Sequence, residues 1–292
     1  MCIRDRYVIL ALGLNIVVGY AGLLDLGFVA FYAAGAYLFA LMASPHLAQT
    51  FAGFAALFPN GLHTSLWVVI PLAMALAGFL GVLLGAPTLK LRGDYLAIVT
   101  LGFGEIVRIF LNNLDHPYNI TNGPKGLNQI DSIHILGLNL GRPFDLFGYT
   151  IPSVTLYYYL FLFFVVLTIV ICYRLQTSRV GRAWMAIRED EIAAKAMGIN
   201  TRNMKLLAFG LGAMFGGVAG SMFGAFQGFV SPESFSLMES VMIVAMVVLG
   251  GLGHIPGVIL GAVLLAALPE ILRYVAGPLQ AMTDGRLDAA IL

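Results

Sequence analysis

Charge is scarce in this chain. Of its 292 residues only 11% are Asp, Glu, Lys or Arg, while 60% are hydrophobic. Soluble domains run at about 25% charged and roughly 45–50% apolar, so with a mean hydropathy of +0.90 an ordinary soluble fold is excluded. The composition requires an all-α, polytopic membrane protein. A formal net charge of +1 leaves no basic excess for nucleic acid. Cysteine is as sparse: Cys2 and Cys172 stand far apart, which excludes a disulfide framework and a thiolate metal site. The five histidines lack metal-ligand spacing, so no metal is expected. The GxxxxGK[ST], HExxH and GxSxG patterns are all missing, as is any pair of carboxylates within an apolar run. Their absence argues against ATP hydrolysis on a phosphate loop, zinc proteolysis and serine-nucleophile chemistry. We expect no catalytic residue and no cofactor; if transport is driven by ATP, another chain supplies the hydrolysis.

What the sequence holds instead is a series of apolar runs near the length of about 20 residues that a spanning helix needs. They fall at 7–24, 26–43, 66–86, 95–114, 152–173, 204–229, 237–249 and 258–275, about eight membrane segments in a single transmembrane domain over 1–292. The first run leads directly into the second, which reads as a membrane segment rather than a cleavable leader. Two junctions are unusual. Gly19 to Gly27 is too short and apolar for a solvent loop, so a broken or re-entrant turn is expected there. The run 237–249 gives only about 20 Å of helix at 1.5 Å per residue before the break Gly250-Gly-Leu-Gly253. Paired interrupted segments are a pointer to an internal repeat around a substrate path. Lys and Arg are absent from 44–65, which places that stretch outside, together with the mixed-charge loop 115–151. The basic turn 87–92 and the stretch 174–205 belong in the cytoplasm. The polar residues 1–6 and the apolar start at 287–292 suggest a fragment lacking a helix, or part of one, at each end.

Three patterns invite a role. Gly212, Gly216, Gly220, Gly224 and Gly228 recur at every fourth residue of one run, a stripe that lets two helix backbones approach closely in lipid; Phe223 is expected on the outward side of that helix. Glu105 and Arg108, one turn apart in an apolar run, are expected to neutralise each other while facing the bundle. The third is the polar stretch 174–205, with seven of the sixteen basic residues (Arg174, Arg179, Arg182, Arg188, Lys195, Arg202 and Lys205). Within it Asp190 can cap a short helix, Glu191 and Lys195 form an i,i+4 pair, and Gly198 suits a left-handed stop. Ile192, Ala193, Ala196 and Met197 fall on one face of that helix. From the residues alone two readings stand side by side: a face presented to a soluble partner, and a cytoplasmic loop that only anchors orientation.

The Glu191-Ile192-Ala193-Ala194 stretch with Gly198 resembles the loop of ABC importer permeases in which an E-A-A then Gly pattern forms the coupling helix to the ATPase. More narrowly the chain resembles the M-type permease of branched-chain amino-acid importers. The matching stretches are Gly13-Leu-Asn-Ile-Val-Val-Gly-Tyr-Ala-Gly22, Gly93 to Thr100 with Gly104-Glu-Ile-Val-Arg108, Thr121 to Gly126, Arg182 to Asn200, and Gly250 to Gly253. Ile192 stands between Glu191 and the Ala pair, a departure from the generic motif. The resemblance implies a multi-pass subunit of the inner cell membrane, with a coupling loop at 174–203 and contacts to the ATPase through Glu191, Ile192, Ala193, Ala194, Met197 and Gly198. It implies, besides membrane lipid, four kinds of neighbour or cargo: a second permease subunit, two cytoplasmic ATPases, an extracytoplasmic substrate-binding protein, and leucine, isoleucine or valine. Two alternatives remain: a relative importing urea, amides or other amino acids, and a secondary transporter driven by an ion gradient.

Overall fold

A computed structural model describes residues 2–51, 62–89, 91, 93–116, 118–135, 138–141, 143–146 and 149–282. Lys90 and Arg92 of the basic turn, Arg142 and the closing apolar stretch 287–292 lie outside the described residues. The chain is helical, in the order α1 (Cys2–Asn15), α2 (Val29–Ala43), α3 (His46–Thr50), α4 (Leu66–Thr88), α5 (Asp94–Asn113), α6 (Ser153–Thr177), α7 (Arg179–Glu189), α8 (Glu191–Ala196), α9 (Thr201–Gln227), α10 (Leu237–Gly250) and α11 (Ile255–Met282). By length and composition five segments can each cross a membrane: α4, α6, α9, Pro232–Gly250 and Ile255–Tyr274, with α2 a shorter apolar helix. The protein is thus an all-α polytopic membrane protein. The loop after α5 carries its only β-structure among the described residues, two small antiparallel hairpins pairing His134–Ile135 with Leu138–Asn139 and Phe144–Leu146 with Tyr149–Ile151.

The bundle is assembled around α9, which packs chiefly on α4 and α2 and then on α1. Its every-fourth-residue glycines lie where it meets α1 and α2. A methyl group on Gly212 would stand 2.5 Å from Val17 Cγ2, one on Gly216 3.0 Å from Phe31 Cβ, one on Gly220 2.7 Å from Ala36 N, and one on Gly224 3.3 Å from Ala36 O. Gly217, off that stripe, takes the other side, where a methyl would be 2.6 Å from Ala73 O of α4. Gly228 is a correction to the stripe: it ends α9 in the left-handed conformation, φ 66°, with open space where a side chain would go. Phe223 is a second correction. It is buried, its ring 5.6 Å from Tyr32 and 5.9 Å from Phe235, because α2 and the 3-10 turn Pro232–Phe235 cover that side of α9.

Both irregular junctions are built into the protein. After α1 the chain forms a π turn, Ile16–Tyr20, and then runs non-helically to α2. Non-helical backbone in a membrane protein must find its hydrogen bonds within the protein. Here Leu26 N donates to Thr100 Oγ1 of α5 at 3.0 Å, Gly27 N to the buried Asp25 Oδ1 at 2.9 Å, and Ser240 Oγ of α10 to Leu26 O. At the other junction Gly250 and Gly257 abut so closely that a methyl on Gly250 would lie 2.6 Å from Val258 Cα, which closes α10 against α11. The apolar run predicted to end at 275 continues as helix to Met282.

Contacts between loops sort them into two groups. His63 pairs with Asp131, His46 Nε2 lies 3.2 Å from Asn119 O, Asp131 N donates to Ala43 O at 2.8 Å, and Leu127 bridges to Val230. At the other end of the helices Gly22, Gly93, Asp94, Arg188, Glu191 and Lys205 line one cleft. Glu105 and Arg108 do form their pair, Nη2 to Oε1 at 2.5 Å, with both side chains half-buried. Arg108 stands one turn beyond Gly104, the last of the buried residues Leu96, Ala97, Thr100 and Gly104 of α5, and it also reaches the exposed Glu233 of the 3-10 turn Pro232–Phe235 at 3.5 Å.

Close backbone approach at Gly220 yields a test. Gly220→Leu forces α9 off α2, and overpacking a tight contact costs about 1–3 kcal/mol or more. The variant is expected to be recovered folded in much lower yield by detergent size-exclusion chromatography, with Leu207→Ala, at an exposed position of α9, as the tolerated control. Equal yields would remove the packing role of that stripe.

Candidate docking surface

The polar stretch between α6 and α9 folds as two short helices with defined ends. Ser178 caps α7, its side chain accepting from Gly181 N at 3.2 Å. The apolar side of α7 turns inward: Trp184 is fully buried, its Nε1 donating to Met204 O of α9 at 2.7 Å, and Ile187 is buried beside it. Asp190 is the hinge residue between helices. In extended conformation it ends α7, and its Oδ1 accepts from Ile192 N at 2.7 Å and Ala193 N at 3.1 Å to start α8. Such a cap is worth about 1 kcal/mol, which matters for a helix of six residues. At the other end Gly198 takes φ 83°. Ile199 N donates to Ala194 O and Gly198 N to Lys195 O, the paired bonds of a Schellman stop.

The residues singled out in the sequence divide into holders and displayed groups. Glu191 faces inward: Lys205 Nζ of α9 donates to its Oε2 at 2.7 Å, Thr201 Oγ1 to its Oε1 at 3.3 Å, and Lys195 lies 3.6 Å away. The hydrogen bond from Lys205 holds the Glu191 carboxyl below its ordinary pKa, with burial opposing and both lysine charges assisting. A carboxylate lowered in this way stabilises the fold above its unfolded pKa, and that contribution is lost as pH falls through the lowered value. Ala194 is also buried, seating the helix on its neighbours. Ile192 and Met197 are 75% and 83% exposed, and Ala193 and Ala196 are exposed between them. These unpaired apolar groups form a small exposed apolar face on a helix fixed at both ends. A cleft of about 390 Å³ lined by Ala86, Leu89, Lys195, Ile199 and Arg202 adjoins it.

Two partners of this stretch escaped the sequence reading. Lys205 is fourteen positions from Glu191, beyond any local spacing rule. Arg188, on the last turn of α7, donates from Nη1 to Gly19 O of the π turn at 2.6 Å. Beside that turn Asn15, buried in α1, accepts from Gly253 N at 2.9 Å. A polar Asn within an apolar run is the one sign the sequence offered.

Similarity to known proteins agrees with this architecture. The chain is 46% identical over 280 residues to the high-affinity branched-chain amino acid transport system permease protein LivM of Escherichia coli K12, covering 91% of this chain and 61% of the relative. It is 27% identical over 273 residues to the corresponding LivH of Escherichia coli K12, covering 89% and 80%. It is 28% identical over 216 residues to the probable permease LivM of Methanocaldococcus jannaschii, covering 70% and 58%. The chain therefore spans about three fifths of the length of the LivM relatives it matches. No solved structure matches it. Residues 6–285 match the family described as branched-chain amino acid transport system / permease component, and the chain belongs to that family.

Proposed function

We propose that this chain is a permease subunit of an ATP-driven importer of branched-chain amino acids, coupled to cytoplasmic ATPases through α8. The observation that carries the reading is the exposed face of Ile192, Ala193, Ala196 and Met197 on a helix capped at both ends and braced by Glu191 and Lys205. A loop that only anchored orientation would need its basic residues; it would not need a fixed apolar face. In this reading α8 inserts into a groove on an ATPase, as amphipathic helices do on their partners. ATP binding and hydrolysis on that partner then move α8 as a unit. A second permease chain completes the path, and an extracytoplasmic binding protein delivers leucine, isoleucine or valine. The substrate class follows the names of the relatives LivM and LivH.

Sidedness follows from charge. The end that holds Gly22, Arg188 and Lys205 carries the basic stretch 174–205, so it is the cytoplasmic end. The end joined by His63, Asp131 and Asn119 is then external. An ion-driven secondary transporter is the competing class, and Glu105 and Arg108 are the charged groups within an apolar run that a relay for it would need. Those side chains engage each other and Glu233 at the edge of the bundle, which gives that class no support. Uptake that survives ATP depletion but collapses with an uncoupler would favour it.

Two experiments bear on this reading. Single cysteines at Ser178 and Ser132, in a background lacking Cys2 and Cys172, are expected to react with an impermeant maleimide from opposite sides of the membrane, Ser132 from outside; labelling of both from one side would overturn the sidedness. Ala193→Asp would bury an unpaired charge on docking, which costs several kcal/mol, and each 1.4 kcal/mol is about tenfold in affinity. The variant is expected to insert in normal amount, yet to lose at least about 100-fold in ATPase affinity in a co-purification titration. Normal amount together with undiminished ATP-dependent uptake would leave α8 as a topological anchor only.

A further inference from the structure

The last turn of α7 does more than lead into α8. Arg188 lies two residues before Asp190, the residue that ends α7 and starts α8. Its Nη1 donates to Gly19 O at 2.6 Å, so the helix pair carrying the docking face is tied directly to the π turn that interrupts the first membrane segment. Among the described residues Arg188 has no ion pair, although Glu189, Asp190 and Glu191 follow it in the chain. The guanidinium is therefore directed at a backbone carbonyl in preference to the neighbouring carboxylates.

The link continues past Gly19. Asn15, one turn earlier and 1% exposed, accepts from Gly253 N at 2.9 Å, joining the π turn to the break between α10 and α11. The local backbone is shaped for this meeting. A methyl on Gly19 would stand 2.6 Å from Gly253 N and overlap the Asn15 amide oxygen, and one on Gly253 would stand 3.0 Å from Arg188 Nη1. Gly22 adopts φ 69° and lies under the Arg188 stem, where a methyl would be 3.0 Å from Cγ. Gly253 itself sits at φ 85°. Two interrupted membrane segments, distant in sequence, thus meet at one point that the cytoplasmic helix pair also holds. A π turn and a glycine break are the places where helices change geometry at least cost.

We propose that Arg188 is a positioning residue that carries displacement of α8 into both interrupted segments, so that the inner end of α1 and the α10–α11 turn move together. This inference rests on the coupling role proposed for α8. Motion of the docking face requires motion of Asp190, and Asp190 cannot shift along α7 without drawing the Arg188–Gly19 bond with it. Asn15 passes the displacement to Gly253. Coupling between distant sites needs such a contiguous element with two arrangements, and the two breaks supply the part that can rearrange.

The test uses the complete transporter with its ATPases and binding protein, reconstituted in proteoliposomes, with radiolabelled leucine as the probe. The quantity measured is leucine taken up per ATP hydrolysed. For Arg188→Gln the ratio is expected to fall on the order of tenfold, the usual scale of allosteric coupling, while the ATPases still co-purify. Arg188→Lys, which keeps a charged donor, is expected to recover part of the ratio. Asn15→Leu is expected to lower it similarly, and the double variant to be no worse than the poorer single one, because both break the same link. A merely structural role for Arg188 would lower yield, uptake and hydrolysis together and leave the ratio unchanged. That outcome overturns the proposal, as does multiplication of the two single effects. Failure of the wild-type chain to bind ATPases would instead sink the coupling reading, and this inference with it, whereas an unchanged ratio in Arg188→Gln leaves that reading standing.

Discussion

Close approach of backbones along α9 is the constraint on which the rest of the structure depends. Lipid supplies no hydrophobic drive for helix association, so helices cohere through packing. Gly212, Gly216, Gly220 and Gly224 bring α9 against α1 and α2 on one side, while Gly217 admits α4 on the other. Those three neighbours carry with them everything else of interest. The π turn hangs from α1, the buried Asp25 turn joins α1 to α2, and the end of α4 lines the cleft beside α8. Trp184, with its bond to Met204 O at the start of α9, then fixes the α7–α8 helix pair to the same central element.

A second constraint is the need to satisfy backbone polar groups wherever a helix is interrupted. At the first break this is done by Thr100, Ser240 and Asp25, and at the point where the two breaks meet by Asn15 and Arg188. Asp25 acts locally, but Thr100, Ser240, Asn15 and Arg188 come from four different helices, so each interruption binds parts of the chain that no spacing rule connects. The Glu105–Arg108–Glu233 group, between α5 and the 3-10 turn Pro232–Phe235, spans no such interruption.

Much of this was legible in order of residues alone. Apolar runs separated by Gly, Pro and charge marked the apolar helices because a spanning segment needs about 20 apolar residues, and five of these segments are long and apolar enough to cross. Asp190 and Gly198 announced the ends of α8 because caps and left-handed stops act over three or four residues. The four inward glycines showed as a stripe because helical period converts every-fourth spacing into a face. Gly228 broke the pattern because the same residue type also serves as a helix stop, and only the backbone angle separates the two uses.

Composition and local spacing by themselves determined an all-α membrane protein and a capped short helix with an apolar face. These rest on interactions reaching no further than one helical turn or one bilayer thickness. Tertiary structure alone decided that Glu191 pairs with Lys205, that Phe223 is covered, that Arg108 also reaches Glu233, and that Arg188 and Asn15 bind the two interrupted segments at one point. In each of these the partners come from different helices or irregular segments. Their meeting is set by how the bundle packs around α9, and sequence spacing carries no record of that.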